Sequence, residues 1–134
     1  MLAIDGKTLR RSFDRAAGRS ALHVVTAFGT EARVAIGQRA VAAGENEITA
    51  ARALLETLTL EGMLVTGDAL HCQAETAALI AARGGDWMFA LKANRPAMLA
   101  EAAAFFDDPA NPREAHQTTD ADHGRVETRK VEVT

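Results

Sequence analysis

The spacing of hydrophobic and polar positions changes rhythm near residue 46. Before that point the apolar residues fall in short, β-branched runs. Leu2-Ala3-Ile4 is followed by Asp5-Gly6 and reads as a strand ending in a turn. The stretch from Arg10 to Ser20 is polar, with Gly18 near its end, and reads as a loop. Residues 22–28 (LHVVTAF) and 33–41 (RVAIGQRAV), separated around Gly29-Thr30-Glu31, predict a β-hairpin. The first three segments therefore form a three-stranded meander.

Beyond residue 46 the period becomes helical. Asn46 is a good N-cap with Glu47 in the first turn. Ile48, Ala51, Leu55 and Leu58 form a stripe that predicts an amphipathic helix packed on a sheet, closed by Gly62. Met63-Leu64-Val65-Thr66 is a compact strand ending at Gly67-Asp68. Residues 72–83 predict an alanine-rich helix stopped by Gly84-Gly85. Residues 87–91 (WMFAL) predict another buried strand. Pro96 suits the first position of a third helix, with Leu99, Ala102, Ala103 and Phe106 as its stripe. Asp107 to Asp122, carrying Pro109 and Pro112, reads as a loop. Residues 125–133 (RVETRKVEV) alternate like an edge strand with no obvious partner. The order β-β-β-α-β-α-β-α predicts an α/β domain, a mixed sheet covered by helices.

Composition narrows the class. The chain has 134 residues, 48% of them hydrophobic and 25% charged, as expected of one soluble globular domain. No apolar run approaches the roughly 20 residues that span a bilayer, and nothing near Met1 resembles a signal peptide. A single cysteine, Cys72, excludes an internal disulfide framework and fits a reducing, cytoplasmic setting. The net charge of −3 hides a basic N-terminal segment, in which Lys7, Arg10, Arg11, Arg15 and Arg19 face only Asp5 and Asp14. Such an edge can meet a polyanion even on an acidic body, because phosphate contacts are local.

Two carboxylates stand out by position. Asp5 follows the first strand and Asp68 the fourth, and ligands of open α/β sheets gather beyond the carboxyl ends of strands. If these strands are neighbours, the two carboxylates lie side by side, and a hard divalent cation would offset their repulsion. Such a site, completed by a third acid, suits phosphodiester chemistry. The plainer alternative is that each aspartate caps a turn. Lys7, Arg10 and Arg11, and Lys92 and Asn94 after the last core strand, are candidate phosphate contacts or solvated loop residues. His71-Cys72 lacks the paired spacing of a zinc site, and His116 and His123 stand in a polar segment, so zinc is not expected. No Ser/His/Asp set or Gly-rich phosphate loop is recognisable.

Five motifs occur in one order: Ala3-Ile4-Asp5-Gly6-Lys7-Thr8-Leu9-Arg10, Asn46-Glu47-Ile48-Thr49, Gly67-Asp68-Ala69-Leu70-His71-Cys72-Gln73, Ala90-Leu91-Lys92-Ala93-Asn94, and His123-Gly124-Arg125-Val126-Glu127-Thr128-Arg129. Together they resemble the DDE transposases of the ISAs-type insertion-sequence group, which includes the H-repeat-associated proteins. The resemblance covers nearly the whole chain. It implies a ribonuclease-H-like catalytic core and Mg²⁺- or Mn²⁺-dependent cleavage and transfer of DNA strands. It maps the first two family acids onto Asp5 and Asp68. Family members usually carry a segment before the first acid and their third acid in a later helix with a tryptophan-rich pattern, both absent here, so the resemblance implies a fragment truncated at both ends, with little or no activity alone. Residues 1–108 would be a partial core and residues 109–134 a loop and edge strand opening an insertion. Glu127 is the available substitute for the third acid, and Arg125 beside it would face DNA or acidic neighbours. DNA is the implied partner, with full-length transposase or self-association as further ones. Two rival expectations are a non-catalytic remnant that binds DNA or transposase, and a small metal-dependent nuclease completed by Glu127.

Overall fold

The computed structural model describes every residue except Arg15, Ala16, Ala17, Arg19 and His123, and all side chains of the rest except that of Asp122. The basic residues Arg15 and Arg19, and the zinc candidate His123, therefore lie outside the described residues. The chain forms two compact units, Met1–Asn94 and Arg95–Thr134.

The first unit contains β1 (Leu2–Leu9), β2 (Leu22–Gly29), β3 (Val34–Ala40), α1 (Glu47–Glu56), β4 (Leu64–Gly67), α2 (Ala74–Ala82) and β5 (Asp86–Phe89). The strands make one mixed sheet in the order β3-β2-β1-β4-β5. β2 runs antiparallel to β1 and β3, whereas β4 is parallel to β1 and β5 to β4. Strand alternation sends Leu2 and Ile4 of β1, Val25 and Ala27 of β2, and Val65 of β4 into one core. Ala50, Ala51, Leu54 and Leu55 of α1 and Ile80 of α2 close over them. Asp5 is out of phase with Leu2 and Ile4 in this alternation and belongs to the opposite face of β1.

Asn46 caps α1 as expected, its Oδ1 accepting the Thr49 amide at 2.9 Å. Asn46→Ala should cost about 1 kcal/mol, read as a lower unfolding midpoint. An unchanged midpoint would mean that the cap adds nothing. α1 stops at Glu56, earlier than the expected Gly62, because the Thr57 hydroxyl donates to the Leu54 carbonyl at 2.7 Å and Leu60 then turns into the core at 1% exposure. Gly62 instead donates its amide to Gly84 across the turn into β4. α2 ends where its sequence signals. Gly84 takes φ 75°, its amide reaching Ala81 while Gly85 reaches Ile80. These are the paired bonds of a left-handed helix closure.

Two expectations for this sheet are corrected. β1 does not turn at Asp5-Gly6 but runs on to Leu9, because β2 pairs with it along its full length, from Leu2↔Gly29 to Leu9↔Leu22. β5 is not a buried strand. It is the sheet edge, with Trp87 49% and Met88 59% exposed, and its Trp87 and Phe89 rings stack at 5.7 Å.

The second unit contains α3 (Pro96–Asp107), β6 (Glu114–Asp122) and β7 (Arg125–Val133). Pro96 opens α3 as predicted, but none of the helix is buried, so its apolar stripe is not a core stripe. The expected loop from Asp107 to Asp122 is mostly β6, and β6 is the partner that β7 lacked. The ladder runs from Glu114↔Val133 to Asp122↔Arg125, with Gly124 at φ 75° in the two-residue connection. β6 is polar on both faces, so no periodicity announces it; pairing with β7 makes it a strand.

Candidate functional site

The parallel register of β1 and β4 sets Leu2 beside Val65 and Ala3 beside Thr66. The same offset carries Asp5 level with Asp68, just past the end of β4. Strand order also changes direction here, β2 and β3 lying to one side of β1 and β5 beyond β4, where α/β sheets open a crevice. Asp5 and Asp68 line one open groove with Ala3, Ile4, Thr66, Gly67, Met88, Phe89 and Ala90. Both aspartates are exposed.

Each carboxylate is held by different means. Asp5 sits within the β1–β2 ladder opposite Thr26. Asp68 is fixed by its own turn: Oδ1 accepts the Leu70 amide at 2.9 Å, and its carbonyl accepts the His71 amide at 3.1 Å. Asn94 braces that turn by donating Nδ2 to the Ala69 carbonyl at 2.7 Å. Among the described residues neither Asp5 nor Asp68 has an ion-pair partner. Two adjacent carboxylates without a protein cation are a hard-oxygen donor pair. No group of three His, Cys, Asp or Glu side chains among the described residues converges where it could hold a metal.

The other candidates are distributed. Lys7 follows Asp5 by one alternation along β1, and Arg10 and Arg11 come directly after the strand. These three line a second open depression with Thr8, Leu9 and Ser12. Lys92 is exposed beyond β5. Glu127 and Arg125 belong to β7 in the second unit. There the Glu127 carboxylate accepts from Arg129 Nη2 at 2.5 Å and lies 3.5 Å from Arg125 Nη1.

The sequence reading missed one cluster. Glu47, the first residue of α1, places its carboxyl group against β1 at Gly6, where an added Cβ would collide with it. Its Oε2 is 2.6 Å from His23 Nε2, and its Oε1 is 3.2 Å from His71 Nε2. The other His23 nitrogen, Nδ1, is 2.7 Å from Thr8 Oγ1. His71 is 1% exposed, and neither of its ring nitrogens has an aligned hydrogen bond among the described residues. The contact to Glu47 is therefore one of close packing without hydrogen-bond geometry. The sequence carries no signal for it: Asp5-Gly6 reads as a turn, and only the pairing of β1 with β2 shows Gly6 to be a core-facing strand position.

Against known proteins, the family described as Transposase DDE domain matches residues 1–132. The chain belongs to the DDE transposase family. It is 40% identical over 132 residues to the "Uncharacterized protein in dhlA 3'region" of Xanthobacter autotrophicus, covering 97% of this chain and 44% of that one. It is 36% identical over 132 residues to the "H repeat-associated putative transposase YbfD" of Escherichia coli K12, covering 96% of this chain and 52% of that one. With the "H repeat-associated putative transposase YhhI" of the same organism it shares 46% over 92 residues, 69% of this chain and 24% of that one. This transposase-family chain thus spans between a quarter and about half of these relatives. No solved structure matches it. Among its described residues no helix is long and apolar enough to cross a membrane.

Proposed function

We propose that this chain contributes the two-aspartate part of a divalent-metal site for DNA transposition, on a ribonuclease-H-like core, and has little or no strand-cleaving activity alone. The observation that carries the reading is the β1–β4 register, which sets Asp5 level with Asp68 in one groove. The mixed strand order β3-β2-β1-β4-β5 supports the core assignment. Two exposed carboxylates with no protein counter-charge fit a hard cation such as Mg²⁺ or Mn²⁺. When bound, such a cation supplies Lewis-acid polarisation of a phosphodiester and activation of the attacking oxygen. Asp5 and Asp68 would hold it, and the Leu70 amide keeps Asp68 oriented. Lys7, Arg10 and Arg11 lie along and just beyond β1, where DNA phosphates would contact them, and Lys92 stands beyond β5. Asn94 acts through the Asp68 turn, its amide being spent on Ala69. Arg125 is a further candidate DNA contact on the second unit. The relatives' names support DNA as the partner, with full-length transposase or a second copy as additional ones, in a cytoplasmic setting.

Glu127 bears on activity. Its carboxylate is engaged by Arg129, which favours a structural role in the hairpin over metal ligation. Incubation with supercoiled DNA and Mg²⁺ or Mn²⁺, beside Asp68→Asn and Glu127→Gln, tests the reading. Nicking by the unaltered chain should not exceed the Asp68→Asn background, while Mn²⁺ binding should be lost in Asp5→Asn and Asp68→Asn. Metal-dependent nicking abolished in both Asp68→Asn and Glu127→Gln would instead establish a small three-acid nuclease.

A further inference from the structure

The two acid-bearing segments meet a common side chain that belongs to neither. Glu47 presses its carboxyl group against Gly6, the residue after Asp5, and reaches His71, three residues after Asp68. It also reaches His23 on β2, which continues to Thr8 of β1. One side chain at the start of α1 therefore spans β1, β2 and the turn after β4. Asn46 fixes that helix start, since its side chain accepts from both the amide and the hydroxyl of Thr49. The absence of a Cβ at Gly6 is the condition for the approach. Such an arrangement suits outer-shell groups, which set the orientation of ligands they do not replace.

We infer that Glu47 is a positioning residue, which with His23 and His71 clamps the Asp5 strand and the Asp68 turn at a fixed spacing from the far face of the sheet. The role rests on the metal-site reading above, but the clamp itself is a property of the metal-free chain. Glu47 touches no reacting group: Asp5 lies on the face of β1 opposite to Gly6, and the two are linked only through the strand.

The test compares the intact chain with Glu47→Ala, Glu47→Gln and Leu58→Ala. Leu58 packs toward Gly37 of β3, away from both acids, and its variant serves as a control for general loss of stability. Amide exchange is followed in metal-free protein at temperatures equally far below each midpoint, and Mn²⁺ affinity is measured in parallel. Glu47→Ala should speed exchange in the segments holding Asp5-Gly6 and Asp68 to His71, and weaken Mn²⁺ binding about tenfold or more. Glu47→Gln, which keeps the shape and an acceptor oxygen, should restore most of both. Leu58→Ala should leave both segments protected. Exchange in Glu47→Ala no faster there than in Leu58→Ala would overturn the clamp. If Mn²⁺ does not bind the intact chain in a manner dependent on Asp68, the metal reading fails, and the exchange comparison still decides the clamp.

Discussion

Leu55→Ala should destabilise the first unit by about 2–5 kcal/mol, measured by urea or thermal unfolding. Leu55 is fully buried on the inner face of α1, among Leu54, Ala51 and the strand residues of the single core. Truncation removes transfer free energy and leaves a cavity that short neighbours such as Ala50, Ala51 and Ala27 fill poorly. Small domains have only about 5–15 kcal/mol in total, so the variant should sit near the edge of folding. Val34→Ala, on the outer strand with Val34 51% exposed, should change stability by about 0.5 kcal/mol or less. Equal losses in the two variants would show that the core lies elsewhere.

Gly6→Ala should be costly for a reason unrelated to backbone conformation. Gly6 is an ordinary strand residue, absent from the glycines with positive φ, and alanine is normally the better strand former. The new methyl group, however, takes the place of the Glu47 carboxyl. Glu47 must swing away from His23 and His71, breaking the 2.6 Å contact to His23 and leaving the almost fully buried His71 without the carboxyl group packed against it. The expected loss is about 1–3 kcal/mol. In a Glu47→Ala background the sign should reverse, with Gly6→Ala neutral or stabilising by about 0.5 kcal/mol. A double-mutant cycle with no coupling between these positions would contradict the packing of the Glu47 carboxyl group against Gly6.

The sheet's centre was legible because its signals are local and redundant. Asn46 with Glu47 marks a helix start, Gly84-Gly85 a helix end, and Gly67-Asp68 the carboxyl end of β4, where Asp68 comes level with Asp5 inside β1. What escaped notice depends on partners remote in sequence. Gly6 reads as a turn residue because turns are a common use of glycine after aspartate; its real constraint comes from Glu47 on a helix far along the chain. The β6 segment reads as a loop because Glu114 to Asp122 lacks an apolar face, and only the ladder with β7 makes it extended. Residues 87–91 look buried by composition, yet edge position leaves Trp87 and Met88 half open. The candidate site followed the same division. Its two aspartates were visible from flanking strands, whereas the histidines beneath them became meaningful only through Glu47.

The β1–β4 pairing also governs when the two aspartates meet during folding. β1, β2 and β3 follow one another in sequence and can pair early, since contacts nearer in sequence close more cheaply. β4 must cross over through α1 before it can lie parallel to β1, and that contact carries a larger loop-closure cost. Asp5 therefore reaches its final strand conformation in the meander, while Asp68 arrives with the closing of the sheet. The groove between them is a late product of folding, and whatever binds there selects molecules in which the crossover is complete.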